Sequence, residues 1–496
     1  MTSSFYSKPE ITVNDRIASV NTFSDSIEKM NSVILKRMTN NFYPIGKTSF
    51  DSRSDSVIDF HFVSTQGFDL KSFVLYFNGK LPEAPTRSCI DDLLPMFSRV
   101  VCLINDSIFT DTTNFNIVFK NLWYQTCSQE FQESYQGQLC GAWRYNTQPV
   151  TRLSSMPLDA AYETEAILDP NGYQPILRGI ETKKHEVACQ SANGRAYAIP
   201  LSFIFSIFRI DQILPLELVK SLKLSFYLAP YSETVLHLPA KPAAFPASNA
   251  AAALLHPYRL FSTYANAPAA ANLYYQINNV MITGDTIDLH PMYMQEIRQL
   301  AQSQTGFFVS CENYSSFNQT LTGPSMTLNI TQPISHLKDI FIVPRRSVIT
   351  NDYSTLDSNH NQFKDYRVTI GSIPLTLNPV NSLSQAYIES RKAWNSLGNL
   401  NGSTLLNDVM FKDYCFCISQ SCEALSVNNI PSNVDLKLPA SYVRVDLNFN
   451  AIADPDIAAT PLLVGAVQAG YAVMLVIILH HDIGLHFSNG GVERLT

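Results

Sequence analysis

At 496 residues the chain exceeds the ~250–300 residues at which one hydrophobic core stops growing, so its length predicts two domains. Hydrophobic residues make up 46%, but charged residues only 16% against a usual ~25%, so the surface is either rich in Ser, Thr, Asn and Gln or covered by further copies of the chain. The net charge of −7 contains no basic run, and Lys8 is the single cation of Met1–Asn14, which excludes a polycationic arm and argues against direct binding of nucleic acid.

In chain order, Asp25–Met38 comes first. It sets Ile27, Met30, Ile34 and Met38 on one face, with Glu28 three residues after Asp25 as a capping pattern. This predicts a short amphipathic helix within an N-terminal arm of residues 1–45. Ile58, Phe60 and Phe62 then alternate with Asp59 and His61, the period of a half-buried strand. Gln129–Glu186 contains Gly, Pro and Tyr with poor periodicity and reads as a contact-making insert. Leu222, Leu224, Phe226 and Leu228 alternate with Lys223 and Ser225. Leu236–Asn272 is rich in Ala and Pro and divides the chain into a first β domain over 46–235 and a second over 273–496, with 236–272 as linker.

The second half repeats the pattern. Asp288–Gln302 predicts a helix, with Pro291 near its start and Met294, Ile297 and Leu300 along a stripe. Met326, Leu328 and Ile330 form one strand face, and Tyr366, Val368 and Ile370 another. Ser382–Leu397 opens on a Ser382-x-x-Gln385 capping box and predicts a further helix. Val443, Val445, Leu447 and Phe449 alternate with Arg444, Asp446, Asn448 and Asn450. Pro461–Leu479 is a 19-residue stretch without a charge, long enough for a membrane helix. Gly465, Gly470 and the β-branched Val473, Val476, Ile477 and Ile478 favour a loop followed by a strand buried on both faces. Strands without intervening βαβ helices argue for an all-β protein built of sandwiches or barrels, with a few short helices.

No chemical motif stands out. The sequence has no Gly-x-Ser-x-Gly elbow, Walker loop, His-Glu-x-x-His or Gly-x-Gly-x-x-Gly, so no catalytic, cofactor-binding or metal-ligating residue is assigned. Cys415, Cys417 and Cys422 lack a fourth ligand at zinc spacing and read as structural thiols. His480 and His481 are adjacent on a strand and face opposite ways, so they do not share an ion. Arg345-Arg346 reads as a strand end or a subunit contact, with an anion as the alternative. Nine cysteines, an odd number, show no repeated spacing, and Met1–Glu10 lacks the apolar core of a signal peptide; both suit a reduced compartment with free thiols and a chain that is not secreted. The glycosylation sequons at Asn105, Asn313, Asn318, Asn329 and Asn401 read as chance matches in that setting.

Four segments resemble the double jelly-roll major capsid proteins of adenovirus-like, virophage, polinton-like and large DNA viruses. Ile199–Val219 resembles the segment that closes the first jelly roll, and Tyr275–Ile297, with Asp288-Leu-His-Pro-Met, resembles the opening of the second. Pro333–Val343 is similar to a strand the family begins with His-Pro, here Ser335-His336, with Phe341 where Trp is common. Leu475–Asn489 looks like the final strand and its tail. The compact chain is most similar to small polinton-like or virophage-type members. The resemblance implies two consecutive eight-stranded jelly rolls and a homotrimer of pseudo-hexagonal outline that tiles an icosahedral virion shell. It further implies neighbouring capsomers, penton and minor capsid proteins as partners, and membrane contact only through the N-terminal arm. The alternative is a two-domain β-sandwich carbohydrate-binding or adhesin protein, which calls for a secretion signal and paired cysteines. A β-sandwich glycosidase calls for an acidic cleft, which a chain with three Trp and low acidity does not suggest.

Overall fold

The computed structural model describes residues 34–142, 189–237, 273–346, 356–394, 411–422, 435–449 and 473–495, apart from short gaps within these spans. Twelve strands form the first half: β1 (Ile34–Phe42), β2 (Phe50–Asp51), β3 (Val57–Phe62), β4 (Gly67–Lys80), β5 (Ser88–Ile90), β6 (Phe97–Ile104), β7 (Ser107–Thr113), β8 (Arg195–Pro200), β9 (Ile213–Pro215), β10 (Leu222–Leu228), β11 (Val235–His237) and β12 (Gln276–Leu289). Nine form the second: β13 (Phe307–Leu321), β14 (Ser325–Ile330), β15 (Leu337–Arg346), β16 (Phe363–Ile370), β17 (Ile373–Pro374), β18 (Ile418–Ser421), β19 (Val443–Phe449), β20 (Val473–Ser488) and β21 (Gly491–Leu495). Three helices are used below: α1 (Phe115–Thr126), α2 (Pro291–Gln302) and α3 (Leu383–Ala393).

The two halves have one topology. The first pairs β1-β12-β4-β8 in one sheet and β3-β10-β6-β7 in the other, and the second pairs β13-β20-β15-β18 and β14-β19-β16-β17. With β2, β5, β9 and β11 of the first half and β21 of the second set aside, both halves order their eight main strands 1-8-3-6 and 2-7-4-5. Two antiparallel sheets wound this way are a jelly roll. The sequence periodicity fixes the facing sets. Leu222, Leu224 and Phe226 of β10 stand opposite Phe62, Phe60 and Ile58 of β3 and opposite Ile104, Cys102 and Val100 of β6, and all nine are buried. Met326, Leu328 and Ile330 of β14 align in the same way with Leu447, Val445 and Val443 of β19.

Three expectations are corrected. The helix expected over Asp25–Met38 gives way from Ile34 onward to strand β1, and residues 25–33 lie outside the described residues. Pairing along β12 and the packing of Phe42 against Phe62 and Phe73 override the local helical pattern. β12, expected to open the second sandwich, instead pairs with β1 and β4 as the eighth strand of the first. The second sheet system starts at β13, after α2. The Ala/Pro-rich stretch therefore lies inside the first jelly roll, between its seventh and eighth strands, and its first two residues, Leu236 and His237, pair with Cys89 and Ser88. A composition break marked an insertion, not a domain boundary. The remainder of that stretch, 238–272, and positions 143–186 of the expected insert are outside the described residues.

Helix α3 starts on half of its capping box: Ser382 accepts from the Gln385 N–H, while the Gln385 side chain accepts from the N–H of Asn381, one residue before the cap. It ends at Ala393, short of the Leu397 expected.

The first core is an aromatic lattice in which Phe42, Phe62, Phe68 and Phe73 have ring centroids 5.0–6.0 Å apart. Gly284 makes room for it: a Cβ at this position would lie 2.6 Å from the Phe73 ring. Gly284→Ala is therefore expected to lower stability by about 1–3 kcal/mol in urea unfolding. Gly323→Ala, where a Cβ meets nothing within 4 Å, should stay within about 0.5 kcal/mol of wild type.

Candidate functional site

The segment Phe115–Thr126 forms a helix buried on all sides, its polar Asn116, Lys120, Asn121 and Gln125 included, with its apolar side chains divided between two neighbours. Phe115, Phe119 and Trp123 of α1 enter the first core. Ile117, Val118 and Leu122 meet the outer face of the second half's sheet, where Tyr314 of β13, Phe341 and Val343 of β15, and Val476 and Ile478 of β20 form a separate apolar cluster. Trp394 caps that cluster, stacked on Phe341 at 3.9 Å.

Strand β20 explains the uncharged C-terminal run. Val473, Leu475, Ile477 and Leu479 enter the second core, Val476 and Ile478 enter this seam, and Ile483, Leu485 and Phe487 join the first core. From Val473 on, the expected doubly buried strand is present; 461–472 are outside the described residues. No helix among the described residues is long and apolar enough to cross a membrane.

Around the apolar seam, polar side chains of one half satisfy backbone of the other. Thr112 and Thr113 of β7 donate to the carbonyls of Tyr314 (3.1 Å) and Ser316 (2.7 Å), and Ser316 donates back to the Thr113 carbonyl (2.5 Å). The edges of β7 and β13 are thereby tied without a strand ladder. Arg391 donates to the Gln125 carbonyl (3.0 Å), and Arg494 to the Ile108 carbonyl (3.1 Å). Arg345, read from sequence as a strand end or contact residue, is buried and sits 3.7 Å from Glu233 of the first half.

At one end the seam turns ionic. His480 stacks on Tyr314 at 4.8 Å; its Nδ1 lies 2.8 Å from Asp339 and its Nε2 3.6 Å from Glu312. Lys338 pairs with Glu312 (3.2 Å) and Asp482 (2.9 Å), and Arg209 of the first half approaches Glu312 at 3.7 Å. Nδ1 is within hydrogen-bond reach of Asp339, whereas Nε2 lies beyond hydrogen-bond reach of Glu312 and has no hydrogen-bond partner among the described residues, so Glu312 acts on the ring through its charge. Burial opposes the charge, but Tyr314, Asp339 and Glu312 lift the pKa of His480 well above 6.5. His481 faces the other way, as expected, with Nε2 2.8 Å from Ser315 Oγ. Burial pushes its pKa down to about 4.

The other singled-out residues take structural places. Cys415, Cys417 and Cys422 are buried, and among the described residues no group of three or more His, Cys, Asp or Glu could hold a metal ion. Arg444 and Asp446 pair with each other at 3.0 Å on the outer face of β19. Of the sequons, Asn313 is buried, Asn105 half-buried, and Asn318 and Asn329 exposed; Asn401 is outside the described residues. The α1 wedge and the Thr–Ser ties were not foreseen. The hint for α1 was the spacing of Phe115, Phe119 and Trp123 along one helical side; the ties involve three common polar residues and leave no sequence signal.

No protein-family model and no curated protein sequence matches the chain. Solved structures do. The Faustovirus major capsid protein superposes with a TM-score of 0.54 at 11% identity, covering 96% of this chain and 98% of that one. VP54 of PBCV-1 gives 0.51 at 10% identity, over 93% and 97%. The cryo-EM structure of the Sputnik virophage gives 0.50 at 10% identity, over 93% and 89%. At such identities the likeness is one of fold: this chain has the double jelly roll of these structures along nearly its whole length.

Three outcomes follow from the seam. Phe341→Ala should cost about 3–5 kcal/mol in denaturant unfolding and red-shift Trp fluorescence, because Phe341 is wholly buried against Trp394. A raised histidine pKa gives stability that is complete below about pH 6.5 and lost as pH rises through the folded value. His480→Gln should therefore lessen the fall of Tm expected of wild type as pH rises above about 6.5. Burial also pushes the thiols up, Cys127 to about 11 and Cys140, Cys311 and Cys417 to about 12. A thiol reagent at about pH 8 should label Cys127 first among these four and the other three only on unfolding.

Proposed function

We propose that the chain is a viral major capsid protein that homotrimerises into pseudo-hexagonal capsomers and tiles an icosahedral shell. The observation that carries this reading is the fusion of two topologically equal sandwiches into one block through a buried seam. A block of two similar lobes gives a ring of six when three copies close, and a six-lobed outline packs on flat facets. The fold shared over nearly full length with the Faustovirus, PBCV-1 and Sputnik structures supports the same role. So does the low charge of the chain, which limits repulsion between packed copies.

The protein then belongs to the virion, its partners are its own copies with penton and minor capsid proteins, and it performs no catalysis. In this reading the N-terminal arm, residues 1–45, would meet minor proteins or a membrane inside the shell.

Light scattering on a size-exclusion column tests the reading. A species of about three times 55.5 kDa that survives dilution is the expected result. A monomer at all concentrations would overturn the preformed trimer and return the carbohydrate-binding alternative to first place.

A further inference from the structure

The internal seam is one member of a repeating contact. In each half a helix follows the fifth main strand: α1 lies between β7 and β8, and α3 between β17 and β18. Helix α1 rests on the outer face of the second half's 1-8-3-6 sheet, on strands three and eight, through Ile117 and Val118. Repetition of that contact would set α3 on the outer face of the first half's 1-8-3-6 sheet. Within one chain α3 lies instead beside its own sandwich, with Ala386 buried in the second core. The first half's sheet can therefore meet an α3 only from another copy.

The surfaces fit. On α3 the exposed positions Ser384, Ile388 and Lys392 recur every four residues, one stripe of the helix. Ile388 stands at its centre, 41% exposed. On the first half's sheet Tyr76 of β4, the third strand, pairs with Met281 of β12, the eighth, and with Ala198 of β8. Tyr76, Met281 and Ala198 alternate with core residues, so they face outward, and all three are half-buried. A partly covered apolar strip on strands three and eight is what α1 finds on the second half in the form of Phe341 and Ile478.

We propose that α3 of one copy docks by Ile388 onto the Tyr76–Met281 strip of the next, repeating between chains the α1 contact made within each. Such a contact is heterologous and closes into a ring only at the rotation the internal seam sets. The inference rests on the trimeric reading above and names its interface.

The full-length protein carrying Ile388→Cys and Met281→Cys is oxidised mildly and run on a non-reducing gel beside each single variant, with the mass of wild type and of Ile388→Arg measured by light scattering. Expected are covalent multimers from the double variant alone, and loss of the trimer to a folded 55.5 kDa species in Ile388→Arg. Circular dichroism checks that this surface variant keeps its fold. A wild-type trimer that persists in Ile388→Arg, with no cross-link in the double variant, overturns the interface and leaves the trimer standing. A monomeric wild type overturns both.

Discussion

From Leu475 to Leu479 every side chain of β20 is buried, on both faces of the sheet. A sandwich covers one face of a strand and leaves the other to water. Val476 and Ile478, with Phe341 and Val343 beside them, would lose the cover of α1 on an isolated second jelly roll, where Trp394 still stacks on Phe341. Burying an apolar side chain of this size contributes about 1.5–3 kcal/mol. Those four with Ile117 and Val118 of α1 amount to an upper bound on the order of 10 kcal/mol, comparable to the stability of a whole domain. The two halves are therefore one folding and mechanical unit, although their strands never share a ladder among the described residues.

The sandwiches were legible in the sequence because several of their core strands have one wet face. β3, β10, β14, β16 and β19 alternate, and alternation is a signal a single sequence carries. What failed to show was whatever depends on a partner far along the chain. Ile34–Phe42 has helical spacing when read alone, and only pairing with β12, some 240 residues on, makes it a strand. The seam is invisible for a like reason: the apolar side chains of α1 divide between the first core and the seam, and its partners in the seam lie beyond residue 310. The His480 cluster was half legible. Adjacent histidines on a strand must diverge, and they do, but that Asp339 and Glu312 converge on one of them is set by the register of three strands.

The misplaced boundary has a physical reading. Strand eight of a jelly roll pairs between strands one and three, so the chain must return to the first sheet before it can leave for the second domain. The return from β11 to β12 spans residues 238–275. Loop-closure entropy grows only with the logarithm of length, each doubling costing about 0.6 kcal/mol, so a long excursion here is cheap for the fold. Composition breaks in such chains mark where the fold tolerates additional sequence.

The same tolerance explains why α1 and α3 occupy equivalent positions yet face different neighbours. Both follow the fifth strand, at the end of a sheet, where an insertion leaves every ladder intact. Once one such helix is apolar on two sides, it fixes the angle between consecutive sandwiches, because packed cores admit few arrangements. A chain of two sandwiches then already encodes the step that relates each to the next. In the proposed trimer, whether that step closes into a ring would be set by the geometry of α1 on β15 and β20, inside the single chain.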